Sequence, residues 1–312
     1  MRIRTPKKYL EAIKRRFLCR LGKPKIYADY LYYLTFGKHI NWEQPEDLNQ
    51  WINWLAFNTD TSQWSVLADK YAVRKYVAEK GFEDVLVPLY GVWDNPDDIS
   101  FDHLPSKFVL KINNGSGDVL IIRNKDNADL QEIKLYFKSL FHNPFGIDTA
   151  EPHYQRITPK IIAEQLLGDV TSKDANISLI DYKFWCFNGV PYWCFVCSAR
   201  TREHLTIDLY SADEKWERLE NGNLNYTRHY IKAANKTVRP HALRQMLTIA
   251  SKLSEGFPQA RIDFYEVNNH PYFGEITLTS AAGRMDYFSE SALMEMGKLC
   301  KQAYENISAR YS

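Results

Sequence analysis

The spacing of apolar positions changes several times along the chain, and each change marks a different kind of element. Tyr30, Leu31, Tyr33 and Leu34, then Leu48, Trp51, Ile52, Trp54 and Leu55, recur at i, i+3, i+4, so residues 27–65 are predicted to be helical and rich in aromatic side chains. Another helix is expected over 68–80, with Gly81 as its C-cap. Beyond that the period shortens to two. Residues 108–112 and 118–122 flank Asn113-Asn114-Gly115-Ser116-Gly117 as a hairpin, and a helix is expected over about 127–141. Residues 160–167 read as a strand, and Asn188-Gly189 joins 182–187 to 190–198 through a type I′ turn. A helix over 240–255, a last hairpin over 261–277 and a closing amphipathic helix over 289–308 complete the pattern. This order is mixed α+β rather than alternating βαβ, and there is no GxGxxG, which disfavours a dinucleotide-binding Rossmann domain.

The last hairpin carries chemistry. With Asn268, Asn269 and His270 as its loop, Val267 faces Pro271, Tyr265 faces Phe273, Asp263 faces Glu275 and Arg261 faces Thr277. A bulge at Gly274 is the local event that would shift this register. Directly opposed carboxylates destabilise a sheet unless a cation lies between them, and a hard divalent ion that also accepts phosphate oxygens is one such cation. Asp263 and Glu275 are therefore a candidate Mg²⁺ site; a solvent-facing strand pair with hydrated carboxylates is the plainer alternative.

Composition narrows the class. The chain has 312 residues, 45% hydrophobic and 25% charged, which is ordinary for a folded protein large enough for two subdomains. Its 14% aromatic content favours a bulky core over carbohydrate contact. Cysteines 19, 186, 194, 197 and 300 are odd in number and lie mostly in apolar runs, which points to a reducing compartment; Cys194-Phe-Val-Cys197 sits within a strand and reads as buried thiols rather than a zinc or redox pair. Asp97 and Asp98, in a proline-containing loop, read as turn residues. No apolar run approaches the length that spans a bilayer, so a cytoplasmic protein is expected, with no nucleic-acid partner. The first 25 residues hold ten lysines and arginines against Glu11 alone, with Tyr9, Leu10, Ile13, Phe17 and Leu21 at helical spacing. Such a helix suits peripheral contact with an anionic membrane and suits equally well the acidic remainder of the chain.

The glycine hairpin adds a second element. Its small loop residues can aim backbone N–H groups at a phosphate, with Lys111 at the end of the preceding strand and Lys183 on a later one supplying charge. Taken together, Asp69-Lys-Tyr-Ala-Val-Arg74, Lys107 through Gly117, Glu164-Gln-Leu-Leu-Gly168, Asp181 through Gly189, Arg261-Ile-Asp263 and Phe273-Gly-Glu-Ile-Thr277 resemble the ATP-grasp ligases, most closely the TupA-like branch associated with bacterial surface-polysaccharide biosynthesis. The resemblance runs from about Tyr27 to the C-terminus.

The resemblance implies an ATP-grasp fold in which two α+β subdomains, 105–167 and 168–312, sandwich ATP behind a helical region at 27–104 and the basic segment 1–26. Lys70 and Lys111 would contact phosphates under the loop of Asn113, Asn114, Gly115, Ser116 and Gly117. Glu164, Gln165 and the backbone near Leu167 would receive the adenine. Lys183 would approach the phosphates from the other side, and Asp263, Glu275 and Thr277 would hold Mg²⁺. Thr277 departs from the asparagine common at that position in the superfamily, and the usual large N-terminal domain is reduced to a helical segment. Arg261 would stabilise charge at the reacting acyl centre, while Arg200, Arg202 and Arg284 are candidates for gripping an anionic substrate. The implied reaction is carboxylate activation by ATP followed by amide formation with an amine, on a uronic acid or amino acid destined for a surface glycan. A sugar kinase built on the same nucleotide site, a non-catalytic nucleotide-binding assembly component and a metal-dependent glycosyltransferase stay open as alternatives.

Overall fold

A computed structural model describes residues 17–18, 22–142, 145–168, 179–201, 203–219 and 222–310. Most of the basic segment expected over 1–26, and Arg202, lie outside the described residues.

Helices come first. α1 (Pro24–Phe36) ends at Gly37 in the left-handed region, φ 70°. α2 (Leu48–Asn58) is capped by Asp47, whose carboxylate accepts the Gln50 N–H at 2.9 Å. The helix expected over 68–80 is broken. α3 (Ser62–Ala68) stops at Asp69, whose side chain accepts N–H bonds from Tyr71 and Ala72 at 2.8 and 3.1 Å before α4 (Val73–Glu79) begins. A carboxylate that competes locally for backbone donors interrupts a helix that the apolar spacing alone would continue.

Two antiparallel-dominated sheets follow. The smaller has the order β1-β4-β2-β3, with β1 (Leu89–Trp93), β2 (Phe108–Ile112), β3 (Val119–Ile122) and β4 (Ile161–Gln165). Alternation sets its faces. Phe108, Leu110, Ile112, Ile161 and Ala163 point one way and are buried with Ile133 and Phe137 of α5 (Leu130–His142), while Val109, Lys111, Ile162 and Glu164 point the other way. The larger sheet has the order β10-β9-β5-β6-β7-β8, from β5 (Asp181–Phe187), β6 (Val190–Ser198), β7 (Leu205–Ser211), β8 (Tyr230–Lys232), β9 (Ala260–Val267) and β10 (His270–Thr277). The expected Asn188-Gly189 turn is present, with φ of 47° and 84°. β1, β7 and β8 have no counterpart in the sequence pattern. β1 is interrupted by a register shift at Gly91, and β8 is a three-residue strand that pairs in parallel with β7; neither leaves a sustained alternation.

Helix α6 (Leu243–Ser254) buries Leu243, Met246, Ile249, Ala250 and Leu253 against one face of the larger sheet. The opposite face is divided. Trp185, Trp193 and Phe195 lie under Phe288 and the start of α7 (Glu290–Ser308), with the Trp185 and Phe288 rings 5.2 Å apart. Beside them the same face turns charged. Cys186, Cys194, Cys197 and Cys300 are buried and unbridged, and burial pushes the Cys186 thiol up to about 12, so these side chains behave as small apolar groups. Asp97 and Asp98 lie in a 3-10 turn capped by Asn95. Among the described residues no helix is long and apolar enough to cross a membrane.

Candidate active site

The charged part of that face is made by β9 and β10. Their turn contains two residues rather than three. Asn268 and Asn269 both have positive φ, 53° and 63°, as a type I′ turn requires. His270 therefore pairs with Val267 and Tyr272 with Tyr265, which corrects the Val267–Pro271 and Tyr265–Phe273 pairs drawn from the sequence. A bulge at Gly274 then adds back the missing residue. Glu275 lies opposite Asp263 and Thr277 opposite Arg261, as expected, because the shorter loop and the bulge cancel. A Cβ at Gly274 would stand 3.1 Å from the Asp263 carbonyl oxygen and 3.3 Å from the Tyr265 ring, so glycine lets the bulge close onto β9.

A cation does lie between the two carboxylates, and it is Arg261. Its Nε donates to Asp263 Oδ1 at 2.7 Å, and its Nη2 donates to Asp263 Oδ2 at 2.8 Å, Glu275 Oε1 at 2.5 Å and Thr277 Oγ1 at 2.9 Å. Nη1 reaches Ser280 Oγ at 3.3 Å. From β5, Lys183 Nζ donates to Asp263 Oδ2 at 2.5 Å and lies 3.6 Å from Asp181. Burial pushes the Asp263 carboxyl above its ordinary value, against the pull of Arg261 and Lys183. Burial works the same way on Glu275, but Arg261, Lys183 and Lys70 together outweigh it and hold that carboxyl down at about 2. Glu275 is thus ionised at neutral pH. Its side chain is 38% exposed, and Oε2 has no protein partner among the described residues.

The glycine hairpin lies across from these groups. Lys111 pairs with Val119 at its loop end and forms an ion pair with Glu164, whose other oxygen accepts Arg74 Nη1 at 3.3 Å. The Glu164 carboxylate is thereby committed to holding two cations. Asn113 is fully buried and braces the loop base: its Oδ1 accepts the Lys160 N–H at 2.7 Å, its Nδ2 donates to the Thr158 carbonyl at 3.1 Å and its carbonyl accepts the Lys70 N–H at 3.0 Å. Asn114 is buried beside it. At Gly115 a Cβ would meet Ile112 at 2.8 Å, whereas Ser116 and Gly117 are exposed. Lys70 Nζ donates to the Gly115 carbonyl; burial lowers its pKa, while Glu275 across the cleft pulls it up and Lys111 presses it down. Lys70 therefore faces both hairpins.

Three positions along the β9–β10 hairpin mark out the cleft. At its turn, Val267, Asn268 and Tyr272 join Gln165, Leu166, Leu167 and Gly168 around a cavity of about 400 Å³, a size that accepts a planar heterocycle. In the middle are Asp263, Glu275, Lys183, Lys70 and Lys111. At the far end Arg261 and Thr277 lead into Ser280 and Thr279. Arg200 lies outside this line, pairing with Asp181 at 3.3 Å while its own side chain is 58% exposed. Arg284 lies beyond the far end and donates to the Thr149 carbonyl at 3.4 Å. Sequence pattern singles out nothing in residues 146–157, where Thr279 Oγ1 donates to buried Glu151 and Tyr154 sits in electrostatic reach of Glu275, Arg261 and Asp263. An irregular segment has no periodicity to announce it.

The donor set suits a hard divalent cation shared with a polyphosphate, because such a cation needs only one or two protein carboxylates and takes its remaining oxygens from phosphate and water. Glu275 Oε2, ionised and unpartnered among the described residues, is the oxygen available to it. Thr277 Oγ1 already accepts from Arg261 and donates to Glu275 Oε1 at 3.0 Å.

No curated protein matches the chain. Among solved structures it is similar to D-alanine--D-alanine ligase from Bacillus anthracis complexed with ATP, at 14% identity over 78% of this chain and 67% of that one, TM-score 0.45. It is also similar to the D-cycloserine synthetase DcsG, at 13% identity over 77% and 71%, TM-score 0.43. A third is the ATP-grasp ligase PsnB complexed with precursor peptide PsnA2 and AMPPNP, at 9% identity over 83% and 65%, TM-score 0.40. The family model for TupA-like ATPgrasp matches residues 50–301, from α2 to α7 and including both hairpins and the cleft between them. The chain belongs to the TupA-like ATP-grasp family and has the ATP-grasp fold.

Proposed function

We propose that the chain is an ATP-dependent carboxylate–amine ligase, with residues 105–167 and 168–312 as its two nucleotide-clasping subdomains, acting on a uronic acid or amino acid in the assembly of a bacterial surface polysaccharide. The observation that carries this reading is the order of groups along β9 and β10: a cavity suited to a base, then cations from both sheets around an ionised carboxylate, then a guanidinium fixed by five oxygens of four residues. A nucleotide triphosphate laid along this line ends at Arg261, where a second reactant must meet it.

In this reading the base lies among Gln165, Leu167 and Tyr272, and Lys70, Lys111 and Lys183 face the phosphates. Glu275 and Asp263 would hold Mg²⁺, which supplies charge neutralisation on the phosphate oxygens. A substrate carboxylate oxygen attacks the γ-phosphorus and ADP leaves, giving an acyl-phosphate. An amine then attacks the acyl carbon, inorganic phosphate departs with the former carboxylate oxygen, and the amine loses a proton. Arg261 donates to the oxyanion that develops in this second step. The loop at 115–117, whose outer residues are exposed, can fold over the phosphates and keep water from the acyl-phosphate.

The test is ADP release from MgATP across uronic acids and amino acids offered singly and in pairs, with mass analysis of the product. ADP that requires both a carboxylate and an amine, together with an amide mass, is the expected result. A phosphorylated sugar formed without any amine dependence would reassign the chain as a kinase.

A further inference from the structure

Segment 146–157 connects the helical region to the far end of the cleft. Its base is closed by the Glu151 N–H donating to the Gly146 carbonyl at 2.8 Å, and Gly146 has φ +94° with no room for a Cβ, which would fall 2.5 Å from the Glu151 carbonyl oxygen. From the helical side, Ser65 Oγ donates to the His153 carbonyl at 2.9 Å, and Arg156 donates to Ser65 Oγ at 2.9 Å and Thr61 Oγ1 at 2.8 Å. From the β10 side, Thr279 Oγ1 donates to Glu151 and Arg284 to the Thr149 carbonyl. The segment is thus clamped on both flanks.

Within it the Tyr154 ring is gripped between Phe145, centroids 4.8 Å apart at 83°, and His153, 4.4 Å apart at 41°. Its direction is set by packing. The residue is half-buried, and its hydroxyl has no hydrogen-bond partner among the described residues. The charged groups that act on it are Glu151 from its own segment and Glu275, Arg261 and Asp263 from the facing hairpin. A locked aromatic ring with an unused polar tip, on a segment hydrogen-bonded to Thr279 next to the Ser280 that Arg261 reaches, is placed to line the subsite of the second reactant.

We propose that Tyr154 is a substrate-contacting residue whose hydroxyl donates a hydrogen bond to the carboxylate of the acceptor substrate held against Arg261, with segment 146–157 as the wall of that subsite. This assignment rests on the ligase reading above. The chemistry selects a carboxylate over an ammonium. The Tyr154 hydroxyl offers a proton to a carboxylate oxygen, and Arg261 at the same end of the cleft adds further donors and a positive charge, which suits an anionic group.

The test is calorimetry on the full chain, first with MgAMPPNP and then, at saturating MgAMPPNP, with D-glucuronate and L-glutamate as carboxylate probes and D-glucosamine as the amine control. Binding of a carboxylate probe but not of glucosamine is expected. Tyr154→Phe, which keeps the ring, should weaken the carboxylate about tenfold and leave both AMPPNP affinity and the thermal midpoint unchanged. Unaltered carboxylate affinity in Tyr154→Phe, or AMPPNP and carboxylate affinities falling together, overturns the assignment. AMPPNP binding with neither carboxylate binding also overturns it and leaves the nucleotide site standing, whereas no AMPPNP binding removes the ligase reading and the assignment with it.

Discussion

The β9–β10 hairpin reverses in two residues and carries its charges on the strands themselves, whereas the β2–β3 hairpin reverses over residues 113–118 and places only Lys111 on a strand facing the cleft. In the first, each side-chain nitrogen of Arg261 and each carboxylate oxygen of Asp263 contacts a neighbour on the same sheet or the turn that follows. In the second, the inner half of the loop is pinned through Asn113 to 158–160 and to Lys70, while Ser116 and Gly117 meet solvent. One hairpin presents charge in a fixed geometry, and the other offers a loop free to close. Preorganised charge is worth most where it need not move during reaction, and a covering loop must move to admit its ligand; the two hairpins divide those tasks.

The largest effect should come from breaking the fixed hairpin. Asp263→Asn leaves Arg261 and Lys183, with side chains 11% and 15% exposed, without their shared countercharge, and should cost about 3–5 kcal/mol in urea unfolding. Glu164→Gln removes the equivalent anion behind the glycine hairpin, where Lys111 and Arg74 are 21% and 17% exposed, and should cost about 1–2 kcal/mol because water screens part of the loss. Equal costs would erase the distinction between the hairpins.

A pH series sharpens it. The Glu275 carboxyl is depressed from 4.5 to about 2 in the folded chain, so the unfolded chain takes up that proton first as pH falls. Its contribution is complete above pH 4.5 and disappears as pH drops through 2. Without nucleotide or divalent ion, Glu275→Gln should therefore flatten the fall in thermal midpoint across that window, and a slope identical to the parent chain would contradict the Arg261 and Lys183 contacts as its cause. The smallest effect is expected at the soft loop. Gly117 has φ +85°, and a Cβ added there would have nothing within 4 Å, so Gly117→Ala should cost only the left-handed strain, about 1 kcal/mol, in the same urea measurement.

Much of the cleft is legible in residue order. Period-two alternation places Asp263 and Glu275 face to face, and the pairing holds although the loop is one residue shorter than the sequence suggests and a bulge follows it, since the two differences move the register by one in opposite directions. The Asn188-Gly189 hairpin is legible because only a few residues tolerate positive φ at both turn positions. A continuous helix over 68–80 does not form, because the Asp69 side chain takes backbone donors that a propensity sum assigns to the helix.

The chain's own pattern thus dictates which residues share a strand face and which turns are tight, since alternation, glycine and asparagine act over a few neighbouring residues. The role of Glu164 as the brace for Lys111 and Arg74, the cation between the two carboxylates and the docking of segment 146–157 onto Thr279, next to the Ser280 that Arg261 reaches, were settled only in three dimensions. Those contacts join residues up to more than a hundred positions apart, and their partners are chosen by how the sheets and the clamped segment come together, for which no local spacing carries a signal.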